Sequence, residues 1–282
     1  MQWENLTAPD FAKAAYDTGV CILVLGVLER HGEHLPLGTD YLNGHRLACL
    51  AAEKAPSVVF PPFYFGQIYE ARCFPGAVAL RPTLLLALLQ AVLDEIGRNG
   101  FRKIILLSAH GGNDHLAPFL AQCSLWEEKP YSLYYYTGEL SLERRKAWQA
   151  ILETPAHGHA CECESSISLA NHPQLVHLER LPRGKSFAGK LVPGKPPAGT
   201  DPGEALNRLD HLPANFSGVS WYADFPEHYA GDARPANAEK GVALRQILVD
   251  AFAEYIAAVK ADQMVPELEQ EFFARVAAVS GQ

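Results

Sequence analysis

Val20-Cys21-Ile22-Leu23-Val24-Leu25-Gly26-Val27-Leu28 is an apolar run rich in β-branched side chains, and it predicts a strand that is buried in a sheet. Three further short runs have the same character: Val58–Pro61, Lys103–Ser108 and Ser132–Tyr136. Between the runs lie longer segments with apolar residues at helical intervals: Tyr41–Lys54, Pro82–Asn99 and Asn113–Glu127. This alternation is typical of an α/β fold in which helices cover a mainly parallel sheet.

The second half of the chain interrupts this alternation once. Pro182–His228 is rich in Gly and Pro and has no long periodic segment, so it is either an excursion that covers a site or meets a neighbouring subunit, or a plain surface loop. Helical periodicity returns at Ala236–Ala261 and again at Pro266–Val279. We therefore expect a single domain over residues 1–282 with an excursion at about 182–228.

The composition limits the classes of partner. The chain has 282 residues, of which 48% are hydrophobic, and this is enough to bury a sizeable core. Its 24 Lys and Arg residues against 32 Asp and Glu residues give a formal charge of 24 − 32 = −8. Nucleic acids and anionic membranes are held mainly by Lys and Arg, so both are excluded as expected partners. A small-molecule substrate is the better expectation.

The sequence also predicts a cytoplasmic protein. Its first residues lack the positive flank and apolar stretch of a signal peptide, and its longest apolar runs are too short to span a bilayer. The six cysteines are scattered, so we expect reduced thiols. Cys161 and Cys163 invite a zinc interpretation, but no second cysteine pair completes a thiolate site.

Polar side chains with ligand chemistry follow two of the predicted strands. Glu29 and His31 come directly after the first strand, Asp40 begins the next helix, and His110 follows the third strand. Parallel strands end at the same edge of a sheet, where ligands bind, so these four side chains are expected to converge. Carboxylates and imidazoles without thiolates favour zinc, manganese or iron. Each residue alone has a structural explanation, Asp40 as a helix cap for example, but the four together indicate a metal site.

A third segment, His157–Ser166, leads into a predicted helix at Ser165–Ala170. Its acidic residues, Glu162 and Glu164, are explained structurally by the favourable effect of negative charge ahead of a helix. Histidine and carboxylate in alternation also suit proton transfer beside a water activated by a metal ion.

These segments together resemble the creatininase family of creatinine amidohydrolases and their relatives. The stretch Glu29–Asp40 matches the family's Glu-x-His-Gly-x-His-Leu-Pro-x-x-Thr-Asp, and His159–Ser166 resembles its His-Ala-Gly-Glu-x-Glu-Thr-Ser. Shorter matches lie elsewhere: Phe74-Pro75-Gly76, His110-Gly111-Gly112-Asn113, Gly231-Asp232 and Ala238-Glu239-Lys240-Gly241. The resemblance covers nearly the whole predicted fold, and it implies three α/β/α layers around a mainly parallel sheet.

The resemblance also implies a centre with two divalent metal ions, zinc, manganese or iron. Glu29, Asp40 and His110 would hold one ion, while His31 and the bridging Asp40 would hold the other with a further glutamate. His159 matches the catalytic histidine of the family. Homo-oligomers, often hexamers, are a further expectation from this resemblance.

The position of the further glutamate differs between members of the family. Creatininase takes it from two residues after the strand-end histidine, where this chain has Gly112. The role therefore passes to Glu164, as in relatives with a Gly-Gly pair, with Glu162 as the substitute. Glu162 or Glu33 is also expected to orient the catalytic His159.

Departures from the family pattern concern the substrate. Where the family often has a Ser and a Glu-His pair before Phe-Pro-Gly, this chain has Ile68, Glu70 and Ala71, with Arg72 next. The pocket has thus lost polar groups and gained a cation, so creatinine itself is not the expected substrate. We predict that Glu70, Arg72 and Gly111 contact the substrate, Gly111 because a glycine lets the backbone approach a ligand.

The predicted function is hydrolysis of a carbon–nitrogen amide-type bond, other than a peptide bond, in a small cyclic or linear amide by a metal-activated hydroxide. The alternatives within enzymes are a metallopeptidase and a formamide deformylase, since relatives in the family do both. A phosphoesterase is disfavoured because few cations are available to clamp a phosphate. The alternative of another class is a non-catalytic α/β protein that binds metal or ligand.

Overall fold

A computed structural model describes residues 1–155, 158–181, 203–213 and 216–281. At its centre lies a parallel four-stranded sheet with the order β2-β1-β3-β4. The strands are β1 (Val20–Leu25), β2 (Val58–Val59), β3 (Lys103–Ser108) and β4 (Ser132–Tyr136). All four predicted strands are present, and their parallel pairing is confirmed. β2 ends before Pro61 and Pro62, which have no N–H to donate to a ladder.

Nine helices surround the sheet within the described residues. They are α1 (Ala8–Thr18), α2 (Thr39–Lys54), α3 (Pro82–Arg98), α4 (Asn113–Cys123), α5 (Leu142–Ile151), α6 (Glu162–Asn171), α7 (Ser220–Asp224), α8 (Ala238–Ala261) and α9 (Met264–Ser280). Single 3-10 turns lie at Trp3–Asn5, Glu70–Cys73, Pro173–Leu175 and Leu178–Arg180. The predicted long helices are all present, with ends that differ by a few residues.

The two faces of the sheet bury separate apolar cores. Along β1, Cys21, Leu23 and Leu25 belong to the core with α1, α3 and α4, whereas Val20, Ile22 and Val24 belong to the core with α2 and α8. Successive side chains of a strand point to opposite faces, so an uninterrupted apolar run serves both cores. The predicted three-layer α/β/α architecture is therefore confirmed.

α6 packs closely against α8, and this contact positions the third site segment. A Cβ atom at Gly241 of α8 would lie 1.8 Å from the backbone oxygen of Ser166 in α6, so only glycine permits this approach. The Nζ of Lys103, at the start of β3, donates to the carbonyls of Val259 (2.8 Å) and Lys260 (3.1 Å) at the end of α8. A cation at a helix C-terminus is favourable, so this contact ties α8 to the sheet.

The predicted excursion at 182–228 is described only in part, because residues 182–202 and 214–215 lie outside the described residues. Its later part, 216–228, contains α7 and lies beside the candidate site. Among the described helices, none is long and apolar enough to cross a membrane.

Candidate metal centre

Four predicted ligands converge at the carboxyl edge of the sheet. Glu29 and His31 lie in the loop after β1, Asp40 is the second residue of α2, and His110 lies two residues after β3. Since β1 and β3 are parallel neighbours, both loops leave the sheet at the same edge. Glu164, the third residue of α6, reaches the same place from a distant part of the chain.

The ligand atoms form two groups that share Asp40. In the first group, His110 Nδ1 lies 2.7 Å from Glu29 Oε1 and 3.2 Å from Asp40 Oδ2. In the second, His31 Nε2 lies 3.0 Å from Asp40 Oδ1 and 3.3 Å from Glu164 Oε1. Asp40 thus presents one carboxylate oxygen to each group, as a carboxylate that bridges two ions must do.

The donor set fits divalent ions. Two ligand atoms at 2.0–2.2 Å from one tetrahedral ion lie about 3.3–3.6 Å apart, close to the separations in both groups. Glu29 Oε1 and Asp40 Oδ2 are buried, and within the described part of the chain neither has a hydrogen-bond partner in acceptable geometry. Burial of unsatisfied carboxylate oxygens is costly, and a cation bound in the first group would satisfy both of them.

The carboxylates of the cluster favour the protonated forms of His31 and His110. Burial disfavours the charged form of His31, but the carboxylates of Glu164 and Asp40 outweigh this and raise its pKa well above the usual value. For His110, burial is likewise outweighed by Glu29 and Asp40, and the pKa is again raised. Metal ligation requires neutral imidazoles, so ion binding here would release protons.

Hydrogen bonds from outside the cluster orient two of the ligands. His31 Nδ1 lies 3.3 Å from the backbone oxygen of Glu29 and can donate to it, which leaves Nε2 to face the carboxylates. His228 Nε2 lies 2.5 Å from Glu29 Oε2, so a donated proton there leaves Oε1 for the ligand group. Such contacts fix the tautomer and orientation of metal ligands.

His159 lies against the cluster outside the two groups that share Asp40, although its ligand atom is within 4.8 Å of those of Glu29 and His31. Its ring stacks on the ring of His31 with centroids 4.2 Å apart, and its Nε2 lies 2.8 Å from the backbone oxygen of Arg30. Burial, followed by the charge of His31, lowers the pKa of His159 to about 4. The side chain is therefore neutral at pH 7 and can accept a proton.

The two glutamates of the third segment have different surroundings. α6 begins at Glu162, one turn earlier than the predicted Ser165, so both acids lie in its first turn, where negative charge is favourable. Glu164 faces His31, whereas the Glu162 carboxylate accepts from Thr154 N (2.8 Å), Thr154 Oγ1 (2.7 Å) and Lys240 Nζ (2.5 Å). The structure thus does not bring Glu162 to the cluster.

The cluster borders two cavities. The larger has a volume of about 710 Å³ and contains His159 and His228, with aromatic walls from Tyr69, Phe216 and Trp221. A second cavity, of about 350 Å³, shares five residues with the first: Asp40, Ala109, His110, Gly111 and Glu164. Ligand sites commonly have volumes in this range.

Of the three residues predicted to contact the substrate, two line a cavity and one does not. Glu70 lines the larger cavity, where its Oε2 accepts from Gln67 Nε2 (2.9 Å), and Gly111 lines both cavities. Arg72 is exposed and lines neither. The chain forms a 3-10 turn at Glu70–Cys73 that buries Ala71 and directs Arg72 outward.

Sequence reasoning missed His228. This residue is buried, its ring lies 4.6 Å from that of His159, and its backbone has a φ of +52°. Non-glycine residues in this left-handed region are uncommon and often functional. His228 lies at the end of the Gly- and Pro-rich excursion and follows no predicted strand, so strand-end reasoning had no means of finding it.

Backbone hydrogen bonds join the segment that follows His228 to His159, the predicted catalytic residue. His159 and Ala230 exchange two backbone hydrogen bonds, each of 2.9 Å. A Cβ at Gly158 would lie 2.3 Å from the oxygen of Ala230, so glycine is needed for the two segments to approach.

A protein-family model described as creatininase, creatinine amidohydrolase, matches residues 4–256. The chain is similar to the 3-dehydro-scyllo-inosose hydrolase of Thermotoga maritima, with 25% identity over 266 residues, 88% of this chain and 80% of the relative. It is similar to the creatinine amidohydrolase of Pseudomonas putida, with 24% identity over 272 residues, 86% of this chain and 92% of the relative. A mycofactocin precursor peptide peptidase of Mycolicibacterium smegmatis is 30% identical over 175 residues, 58% of this chain and 63% of the relative.

Solved structures of creatininase share the fold. A creatininase structure superposes with a TM-score of 0.73 at 19% identity, covering 93% of this chain and 98% of that one. Two further creatininase structures are described as a Zn-Zn type of the E122Q mutant (TM-score 0.72, 20% identity, 93% of this chain and 98% of that one) and as a Mn form (TM-score 0.71, 19% identity, 93% and 99%). At these identities the likeness shows the fold alone.

Proposed function

Because this chain belongs to the creatininase family, we propose that it is a metal-dependent hydrolase of a carbon–nitrogen amide-type bond in a small molecule. The observation that carries the proposal is the convergence of two buried ligand groups on the shared carboxylate of Asp40. The curated relatives are named as hydrolases, which supports the reaction class.

We assign one ion to Glu29, Asp40 and His110, and the other to His31, Asp40 and Glu164. Gly112 offers no ligand, and a Cβ there would lie 2.2 Å from Gln67 Oε1, so a longer side chain would not fit without rearrangement. Glu164 supplies the missing carboxylate from α6, which supports the choice of Glu164 over Glu162.

Divalent ions bound here would supply Lewis acidity, lowering the pKa of a water molecule and polarising the substrate carbonyl. Zinc, manganese and iron all suit mixed imidazole and carboxylate ligands, and creatininase has been described in Zn and Mn forms.

His159 is the proposed proton carrier. Its burial keeps it neutral at pH 7, so it can take a proton from the attacking water and deliver it to the leaving nitrogen. The bonds to Arg30 O and to the backbone of Ala230 hold the ring at the cavity wall. A proton transfer of this kind contributes about 10²–10⁴ in rate. Glu162 is then a positioning residue that ties Thr154 and Lys240 to the start of α6.

The larger cavity favours a neutral or cationic part of the substrate. Its acidic residues include Glu70, which is not a proposed ligand, and in the part of the chain that the structure describes no Lys or Arg lines it. Aromatic faces such as those of Tyr69 and Trp221 suit an amine or a planar nitrogen group. We place the leaving amine of the substrate in this cavity, next to His159.

Metal analysis and turnover of matched variants test the ligand assignment. We expect His110→Ala to lose bound metal and turnover, because it removes one of three ligands to an ion. His159→Ala should keep the metal content and lose turnover. His177→Ala, at an exposed histidine outside the site, is the matched control and should change neither. Full metal content in His110→Ala would contradict the assignment.

A substrate panel tests the reaction class. Cyclic amides, linear amides, formamides and dipeptides should be screened with the Mn²⁺-loaded and the Zn²⁺-loaded protein. Cleavage of the dipeptides in preference to the other amides would favour a peptidase, the activity named for the Mycolicibacterium relative. Bound metal without turnover on any member would favour the non-catalytic alternative.

A further inference from the structure

Arg245 of α8 is a partly buried cation at the second cavity. Its Nη1 donates to Ala170 O (3.2 Å) and to Asn171 Oδ1 (2.6 Å), both at the end of α6. Within residues 1–155, 158–181, 203–213 and 216–281, no carboxylate lies in ion-pair distance of this guanidinium. A partly desolvated charge with only neutral partners is costly unless an anion joins it.

The walls between Arg245 and the metal cluster are mostly apolar. Leu47, Leu107, Ile167 and Leu248 contribute side chains from α2, β3, α6 and α8, and Trp148 of α5 adds an aromatic surface. The volume of about 350 Å³ is enough for a short aliphatic chain.

The cavity reaches from the cluster to Arg245. Asp40, His110 and Glu164 line it at one end, and Asn171 and Arg245 line it at the other. Glu164 and Asn171 are seven residues apart in α6, a helical rise of about 10 Å. Gly111 lines both cavities, and a Cβ there would meet nothing within 4 Å, so the space beside this residue is open.

We propose that the second cavity binds the acyl half of the substrate, and that this half is an aliphatic chain ending in a carboxylate that pairs with Arg245. The inference rests on the proposed function, because it divides an amide at the cluster: the amine lies beside His159 in the larger cavity and the acyl group lies in the second. The rise of about 10 Å along α6 sets the scale of this chain at roughly four to six carbons between the reacting carbonyl and the anion, since three bonds of an extended chain span about 3.3–3.6 Å. A single guanidinium matches the single charge of a carboxylate.

Calorimetric titration of the Mn²⁺-loaded full-length protein with adipate and with hexanoate tests this site. Both acids have the same chain length and one carboxylate for the cluster, but only adipate has a second for Arg245. We expect adipate to bind at least about tenfold more tightly than hexanoate, since hydrogen bonds to charged groups contribute at this level. Arg245→Met should remove the difference and leave hexanoate binding unchanged, and Arg245→Lys should keep part of it.

Arg245 also donates hydrogen bonds to the end of α6, so its substitution could act through the helix instead of through the anion. A control variant and a second cavity variant distinguish these two effects. Arg46→Met removes a nearby exposed charge that does not line the cavity, and it should change the adipate preference less than about twofold. Leu248→Glu places a carboxylate one turn from Arg245 on the cavity wall, so it should abolish the preference while α6 keeps its contacts. Leu248→Gln should retain the preference.

Equal binding of adipate and hexanoate, binding of neither, or an adipate preference that survives in both Arg245→Met and Leu248→Glu would overturn the proposal. Metal analysis of the same samples separates this failure from failure of the proposed function. If two ions are bound and amides are cleaved without an adipate preference, only the acyl site is wrong. If adipate is preferred through Arg245 but no amide is cleaved, the anion site stands and the proposed reaction fails.

Discussion

At the scale of single residues, the cluster depends on side chains that are not ligands themselves. His228 is the clearest case, because its Nε2 contacts the Glu29 oxygen that does not face His110. The residue also holds a left-handed backbone, which costs a non-glycine residue about 1–2 kcal/mol. A strained residue against a proposed ligand indicates a functional reason for its position.

We predict that His228→Gly weakens metal affinity by about 10–100-fold, the usual effect of losing an orienting partner of a ligand. The backbone should tolerate the change, because glycine adopts a positive φ freely. Competition with a chromogenic chelator measures the affinity. Asn207→Gly is the matched control: it has the same φ of +52° at an exposed position, and metal affinity should stay within about twofold. Unchanged affinity in His228→Gly would assign His228 a packing role alone.

His34 gives a prediction for pH dependence. It is buried, its Nε2 lies 2.8 Å from Ser165 Oγ, and burial lowers its pKa to about 4. In the unfolded chain, His34 has a pKa of about 6.5. Between about pH 4 and pH 6.5 it therefore binds a proton in the unfolded chain but not in the folded protein. The contribution of neutral His34 to stability is therefore complete above about pH 6.5 and is lost as the pH falls toward 4.

The difference in unfolding free energy between wild type and His34→Gln isolates this contribution. Urea titrations of the metal-free proteins should give a difference that shrinks steadily from pH 7 to pH 4. A difference that stays constant over this range would show that His34 does not titrate as its burial requires.

At the scale of elements, α6 carries Glu164 to the cluster and α8 holds α6 in place. We predict that Gly241→Ala destabilises the protein by about 1–3 kcal/mol, because the new methyl group would overlap the Ser166 carbonyl. A displaced α6 also moves Glu164, so the second ion should be bound more weakly than the first. Denaturant titration and metal titration measure the two effects. Val242→Ala, at the exposed neighbouring position, should change neither appreciably.

Sequence patterns predicted best the elements that have a clear apolar run or a clear apolar periodicity. The strands β3 and β4 have the predicted bounds because their apolar runs end at polar residues or turns. α5 was not predicted, and it buries none of its residues, so its apolar periodicity is weak. The start of α6 was predicted one turn late, because an acidic first turn resembles a polar loop when read from sequence.

The residues of the candidate site also differ in whether the sequence could predict their position. Glu29, His31, Asp40 and His110 could be predicted because strand ends of a parallel sheet must meet at one edge. Arg72 could not be placed correctly, since its direction depends on the 3-10 turn at Glu70–Cys73, which buries Ala71 instead. His228 lies in an irregular segment and Arg245 in a long helix. Only tertiary packing brings His228 to the cluster and Arg245 to the second cavity.

At the scale of the whole molecule, the fold places one cluster of candidate metal ligands between two cavities of different chemistry. The larger is acidic and aromatic, and the smaller is apolar with a cation at its far end. The predicted homo-oligomer and cytoplasmic location stay predictions. The proposed function requires that ligands from the β1 loop, α2, the β3 loop and α6 share ions through Asp40.

Anomalous diffraction from crystals grown with Mn²⁺ or Zn²⁺ tests this requirement most directly. The account predicts two anomalous peaks on either side of Asp40, each about 2.0–2.3 Å from one of its carboxylate oxygens. The first should also be bound by Glu29 and His110, and the second by His31 and Glu164. A peak bound elsewhere, or no peak between these side chains at saturating metal, would contradict the account.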